Sequence, residues 1–214
     1  EKKRASICKH TKPSLPNLNN SMQMNKVETE KERMFAGKPY NAHSDEMVAI
    51  RIRTKRILHK LNVTEYYTDK FQDVIRELCP NTAKNFHVEP PFHCDYGDHI
   101  YAGDSVFINF GAVILDGAKV TIGAHTMIAP GVHIYTAQHP LDADERDKWE
   151  DCKPVTIGER CWIGGHATIR PGVTIGDRTV IGAGSVVTKD SPADCLAVGN
   201  PARVIRKLNQ QKEK

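Results

Sequence analysis

The sequence predicts a mainly β fold: a parallel β-helix of hexapeptide repeats, closed at its start by a small N-terminal α-helical cap. Three observations carry that prediction. Ile157, Ile163, Ile169, Ile175 and Ile181 stand at a constant spacing, and Val187 extends the series. Between them the text repeats as I-G-x-x-(small)-x, as in Ile163-Gly164-Gly165-His166-Ala167 and Ile181-Gly182-Ala183-Gly184-Ser185. The same spacing runs upstream in two more phases, Ala102, Ile108, Ile114 and then Ile122, Ile128, Ile134. This period fits neither a helix, at about 3.6 residues, nor a single strand, at about 2. It fits a coil of short strands and tight corners, in which each inward residue stacks on its copy one turn away. A glycine after the inward residue marks a corner that visits positive φ or lies against the next coil.

Taken in order, residues 1–23 are polar, carry Pro13 and Pro16, and lack periodicity. They read as disordered or as an artificial extension, with Met24 a natural start. Residues 24–90 read as the cap. Thr29-Glu30-Lys31-Glu32 is a capped helix start, and Gly37-Lys38-Pro39-Tyr40 ends that helix. Asp45 caps a second helix through about Leu61, with Met47, Ile50, Ile57, Leu58 and Leu61 as its apolar stripe. A third runs from about Thr68 to Leu78, with Phe71, Val74, Ile75 and Leu78 at helical spacing. A helical cap over the first turn is expected because terminal repeats need covering. Residues 91–200 read as the β-helix, its periodic part spanning about 100–191, with a polar loop extruded at 135–154. A long loop in a compact domain is usually functional. Residues 201–214 form a basic segment closing the far end.

Composition narrows the function classes. The chain has 214 residues and a formal net charge of +4, too weakly and diffusely basic to indicate nucleic acid as a partner. No apolar run reaches membrane-spanning length and no signal peptide with an apolar core is visible, so a cytoplasmic location is expected. Cys8, Cys79, Cys94, Cys152, Cys161 and Cys195 are scattered without a C-x-x-C pair and read as free thiols.

Several segments resemble the maltose/galactoside O-acetyltransferase family in order and with sensible gaps. They are the helical cap, Asp95-Tyr96-Gly97, Asn109-Phe110, Gln138-His139-Pro140, Pro154-Val155-Thr156-Ile157-Gly158 through Trp162-Ile163-Gly164, Val187-Thr188-Lys189-Asp190 and Gly199-Asn200-Pro201-Ala202-Arg203. The resemblance spans roughly Thr29 to Leu208. It implies a left-handed β-helix, where the general preference for right-handed crossovers would suggest the opposite hand. It also implies a homotrimer with active sites between subunits, acetyl-CoA as cosubstrate, no required metal, and a small-molecule sugar acceptor.

Acetyl transfer from a thioester to a hydroxyl needs a base, because an alcohol is a poor nucleophile near neutral pH. Histidine suits that task. Among ten histidines, His139 stands in the extruded loop at the place of the family's catalytic histidine. The loop's Asp142, Asp144, Glu145 and Asp147 read as a solvated acidic face; whether one of them or a backbone carbonyl orients the imidazole stays open. On the acceptor side the resemblance implies Asn109, whose amide can donate to an oxyanion or hold the sugar, and Asp95. Asp116 stands next to a further family position, which falls on Gly117. Asp45 either reaches the sugar or simply caps its helix. On the donor side Trp162 either lies against the pantetheine arm or makes a trimer contact. Gly165 and Ala183 match positions where the backbone meets that arm. Thr188, Lys189, Arg203 and Arg206 match contacts to the far end of coenzyme A, where basic groups suit phosphates. Cys161 sits at a small inward position and reads as packing.

The expected activity is therefore acetyl-CoA-dependent O-acetylation of a sugar or glycoside hydroxyl by direct attack, with His139 as general base. One alternative is a xenobiotic (antibiotic) O-acetyltransferase of the same fold, against which the helical cap argues. Another is a hexapeptide-fold metalloenzyme of carbonic anhydrase type, with His125, His133, His139 and His166 as candidate ligands. A non-enzymatic scaffold is the third, and it leaves the loop, tryptophan and basic tail unexplained.

Overall fold

The computed structural model describes residues 27–208. The expectations for residues 1–23, Met24 and Cys8, and for positions 209–214, lie outside the described residues.

Three helices make the cap. Helix α1 (Glu30–Phe35) opens on a capping box: the Thr29 hydroxyl accepts from Glu32 N–H, and the Glu32 carboxylate accepts from Thr29 N–H. Helix α2 (Asp45–Val63) is capped by Ser44, whose hydroxyl accepts from Met47 N–H. Asp45, expected as that cap, is instead the first helical residue, where its carboxylate meets the positive end of the helix dipole. Helix α3 (Asp69–Leu78) is capped by Thr68. Ile57, Leu58 and Leu61 of α2 join Phe71, Val74, Ile75 and Leu78 of α3 over Phe86, Val88 and Phe92 of the first turn. This apolar lid covers the end a terminal repeat would otherwise expose.

Beyond the cap the chain winds as a parallel β-solenoid with three sheets. The first stacks Ile100–Ala102, Val120–Ile122, Val155–Ile157 and Thr174–Ile175. The second stacks His87–Val88, Phe107–Ile108, Met127–Ile128, Trp162–Ile163, Val180–Ile181 and Cys195–Gly199. The third stacks His93–Cys94, Val113–Leu115, His133–Tyr135, Thr168–Ile169 and Val186–Val187. Each inward column is built from the periodic residues: Ile108, Ile128, Ile163, Ile181 and Ala197 stand in register in the second sheet and are buried. Coil strands begin at His87 and extend to Gly199, wider than the isoleucine series. The first turn points Val88 and Cys94 inward, and the last Ala197, so these turns lack the isoleucine mark.

Close packing explains the glycine that follows an inward residue. Gly164 has no positive φ, yet a Cβ there would lie 2.5 Å from Ala183 N. Positive φ belongs to a later corner position such as Gly172, at 81°.

Successive turns are not equally long. Between the third sheet and the first, Cys94 leads to Ala102 and Ile114 to Ile122, two residues more than the later step from Ile169 to Ile175. At that same corner, one turn on, the loop leaves the coil. It is not structureless: Ala137–Gln138 pairs antiparallel with Asp151–Cys152, and a short helix α4 (Ala143–Arg146) lies between them. At the far end Ala202–Lys207 folds back as an antiparallel strand on Cys195–Gly199, with Val204 and Ile205 exposed.

Candidate active site

The extended corners build one wall of a cleft. Asp116 is fully buried, and its carboxylate accepts from three successive backbone amides, Asp95 N–H at 2.9 Å, Tyr96 N–H at 2.9 Å and Gly97 N–H at 2.6 Å. Burial pushes its pKa up to about 6, against the lowering effect of those amides. The next corner is tied in by Thr136, whose hydroxyl donates to Leu115 C=O and accepts from Ala118 N–H. Beneath these corners Met34, Tyr40, Met47, Tyr96, Ala118 and Cys152 form a small second core joining cap, coil and loop.

Cap, corners and loop together enclose a cleft of about 610 Å³. His139 enters it from the loop with its side chain 56% exposed, and its Nε2 lies 3.3 Å from Glu150 Oε2. The Glu150 side chain is only 16% exposed, and its other oxygen accepts a 2.5 Å hydrogen bond from the Tyr40 hydroxyl. Asp95 also lines the cleft; its pKa is raised by burial and pulled back by Lys55 and Arg51. Arg51 is fixed by donating to Ala42 C=O at 2.6 Å and to the Tyr96 hydroxyl at 3.4 Å. Gly117 also lines the cleft. It carries no side chain because a Cβ there would meet Cys152 Sγ at 2.4 Å. A pocket of this size lined by many polar and charged side chains, among them Arg51, Asp95, His139 and Glu150, suits a small polar ligand.

The loop is internally fastened. Arg146 donates to Pro140 C=O and Leu141 C=O, and Trp149 Nε1 donates to Glu145. Asp142 caps α4. Hydrogen bonds from Lys148 and Trp149 hold the Glu145 carboxyl below its usual range. The carboxylate beside His139 is thus Glu150, at the foot of the loop, and none of the four acidic residues singled out from the sequence. No local spacing announced it. Arg51 and Tyr40 were equally silent in the sequence.

The predicted site residues separate onto two edges of the coil. His139 and Asp95 share the edge between the third and first sheets. Thr188 and Lys189 follow Val187 around that corner, further along the coil. Asn109, Gly165 and Ala183 lie on the edge between the second and third sheets. There Asn109 N–H donates to Ile128 C=O, and Gly184 N–H to Gly165 C=O. The Asn109 side-chain oxygen accepts from Phe110 N–H at 2.8 Å. Trp162 projects from the adjoining face of the second sheet, 53% exposed, in one cross-strand row with Val180, Leu196 and Arg206. Strands spaced about 4.8 Å apart put Trp162 and Arg206 about 14 Å from each other on one face. Arg203 pairs with Val198, a methyl of which would lie 2.6 Å from a Cβ on Gly182. Asp45 is exposed on the first turn of α2, and Asp116 faces the backbone; neither lines the cleft.

Among the described residues, the five cysteines are free and buried, Cys161 within the core. Among the same residues, no three His, Cys, Asp or Glu side chains are grouped to hold a metal, and no helix is long and apolar enough to cross a membrane.

The chain is similar to hexapeptide-repeat transferases. Residues 154–189 match the family described as bacterial transferase hexapeptide (six repeats), and residues 33–83 match the maltose acetyltransferase hexapeptide capping motif. The galactoside O-acetyltransferase of Escherichia coli K12 is 40% identical over 182 residues, covering 84% of this chain and 90% of the relative. A maltose O-acetyltransferase structure from Clostridium difficile 630 superposes with a TM-score of 0.83 at 46% identity, covering 85% of this chain and 98% of that one. A hexapeptide-repeat acetyltransferase of Vibrio cholerae O1 biovar eltor, solved in complex with acetyl coenzyme A, gives a TM-score of 0.76 at 40% identity, with 85% and 99% covered. The chain belongs to the hexapeptide-repeat acetyltransferases, in the group of the maltose and galactoside O-acetyltransferases.

Proposed function

We propose that this acetyltransferase takes acetyl-CoA as donor and moves the acetyl group to a hydroxyl of a sugar or glycoside. The observation that carries the reading is the half-exposed His139 imidazole in a polar cleft with the Glu150 carboxylate 3.3 Å away. Glu150 beside one ring nitrogen orients the ring and stabilises the imidazolium, leaving the other nitrogen to take the acceptor's proton. The hydroxyl oxygen then attacks the thioester carbonyl and forms the C–O bond. Asn109 or backbone amides steady the tetrahedral oxyanion. Its collapse breaks the C–S bond, and the imidazolium returns the proton to the departing thiolate. Asp95 and Arg51 suit hydrogen bonds to sugar hydroxyls.

The two-edge distribution of residues supports a homotrimer with the active site between subunits. His139 from one subunit would face Asn109, Trp162, Gly165 and Ala183 of the next, since one chain puts these on different edges. Cyclic symmetry repeats the arrangement for every copy. Thr188 and Lys189 from one edge, and Arg203 and Arg206 from the other, would take the nucleotide end of coenzyme A. A screen of galactosides, maltose and other sugars, with release of free coenzyme A thiol as the signal, identifies the acceptor. His139→Ala should then lower kcat by about 10²–10⁴-fold while acetyl-CoA affinity stays nearly unchanged, because a base acts on the acceptor proton. Turnover near wild type in that variant overturns the reading.

A further inference from the structure

We infer that Tyr40, a residue of the helical cap, is a positioning residue for the catalytic base: it holds Glu150 so that Glu150 can hold His139. This rests on the reading of His139 as the base. Tyr40 lies in the connection between α1 and α2, and clamps the foot of the loop twice. Its main chain pairs with Glu150 in both directions, N–H to C=O at 3.1 Å and 3.2 Å. Its ring is buried in the second core, and its hydroxyl donates to Glu150 Oε1 at 2.5 Å, with Cys152 Sγ 3.6 Å away.

The two oxygens of Glu150 are thereby divided, one for Tyr40 and one for His139. A carboxylate tethered at one oxygen cannot rotate about its last bond without losing a charge-assisted hydrogen bond in a sheltered place. The orientation of the imidazole is thus set from the cap, across a sequence separation of 110 residues. Burial, Cys152 and Glu150 all raise the pKa of Tyr40, so its hydroxyl remains a donor throughout the neutral range. The cap does more than seal the first turn: it supplies the fixed end of a relay from Tyr40 through Glu150 to His139.

The test is a double-mutant cycle on the whole protein, with acetyl-CoA as donor and maltose, or a galactoside where maltose is not acetylated, as acceptor. Tyr40→Phe keeps the ring and the main-chain pairing and removes only the hydroxyl. It should lower kcat roughly tenfold, as loss of a hydrogen bond to a charged group predicts, with the KM for acetyl-CoA within about twofold of wild type. The acid limb of the pH–rate profile should move as well. Glu150→Gln should cost at least as much, and Tyr40→Phe/Glu150→Gln should be no slower than Glu150→Gln alone. Thermal melts identify a temperature at which every variant is folded, and rates are compared there. A wild-type rate and pH profile in Tyr40→Phe overturn the inference, as do losses that multiply in the double variant. If His139→Ala is inactive while Tyr40→Phe is normal, only this inference falls. If His139→Ala is active, the reading of the base falls with it.

Discussion

Replacing Gly164 by alanine tests why this coil needs glycine where it does. The new Cβ would lie 2.5 Å from Ala183 N and 2.7 Å from Ile181 O, both backbone atoms of the next turn. Ordinary contact begins near 3.4 Å, so the turns must separate by almost an ångström or the corner must twist. The hydrogen bond from Gly164 N–H to Ile181 C=O, 2.8 Å long, runs through the same contact and would stretch. Overpacking against groups that cannot rotate away costs about 1–3 kcal/mol, and the strained hydrogen bond about 1 more. At about 2–4 °C per kcal/mol for a domain of this size, the melting temperature should fall by about 5–15 °C. Gly184→Ala is the matched comparison. Its Cβ would meet nothing within 4 Å, but its φ is +67°. The left-handed conformation costs alanine about 1–2 kcal/mol, partly offset by the stiffer unfolded chain, so a drop of only a few degrees is expected. Melts by circular dichroism at one fixed protein concentration decide it, since an oligomer's melting point depends on concentration. A Gly164→Ala variant that melts within a degree of wild type, or a Gly184→Ala variant that falls as far, refutes the close-packing argument.

Two more outcomes follow from how the residues are distributed. Replacing Arg203 and Arg206 with alanine should weaken coenzyme A more than dephospho-coenzyme A by calorimetry, and added salt should weaken wild-type binding; equal loss for both ligands removes the proposed phosphate contact. Mixing inactive His139→Ala subunits with inactive subunits altered at Asn109 should restore partial activity, because some interfaces then combine an intact histidine edge with an intact asparagine edge. Full activity in a monomer, measured by light scattering alongside the assay, refutes the shared site.

The coil was legible because its inward positions face only their own copies. Ile157 and Ile175, or Ile163 and Ile181, repeat the same environment at every turn, so one residue type recurs. The cap helices were legible for local reasons, a Thr29 capping box and stripes such as Phe71, Val74, Ile75 and Leu78. The errors were local too. Asp45 and Ser44 are adjacent residues of equal capping ability, and the backbone chose Ser44. The first turn carries Val88 and Cys94 in place of isoleucine, so periodicity alone began the coil too late.

The site was less legible, and its position explains why. Stacking constrains where the inward residues fall and leaves the length of each corner free, so a corner can lengthen without disturbing the core. The lengthened corners coincide: Asp95–His99, Leu115–Lys119 and the loop after Tyr135 leave the coil at one edge, on successive turns. The breaks in the repeat that look like noise in the sequence are therefore the part of the molecule released from stacking, and they line the cleft. His139 stood out because it lies in the longest of those breaks and at the place of the family's histidine, and it lines the cleft. Its neighbours could not, because Glu150 beside it, and Tyr40 and Arg51 in the same cleft, come together through a hairpin and a cap whose approach depends on three-dimensional closure. Asp116 shows the same dependence from the other side. A buried carboxylate accepting three amides from a neighbouring corner is needed only because that corner is long. The carboxylate of Asp116 is spent on shaping the corner that places Asp95 in the wall of the cleft.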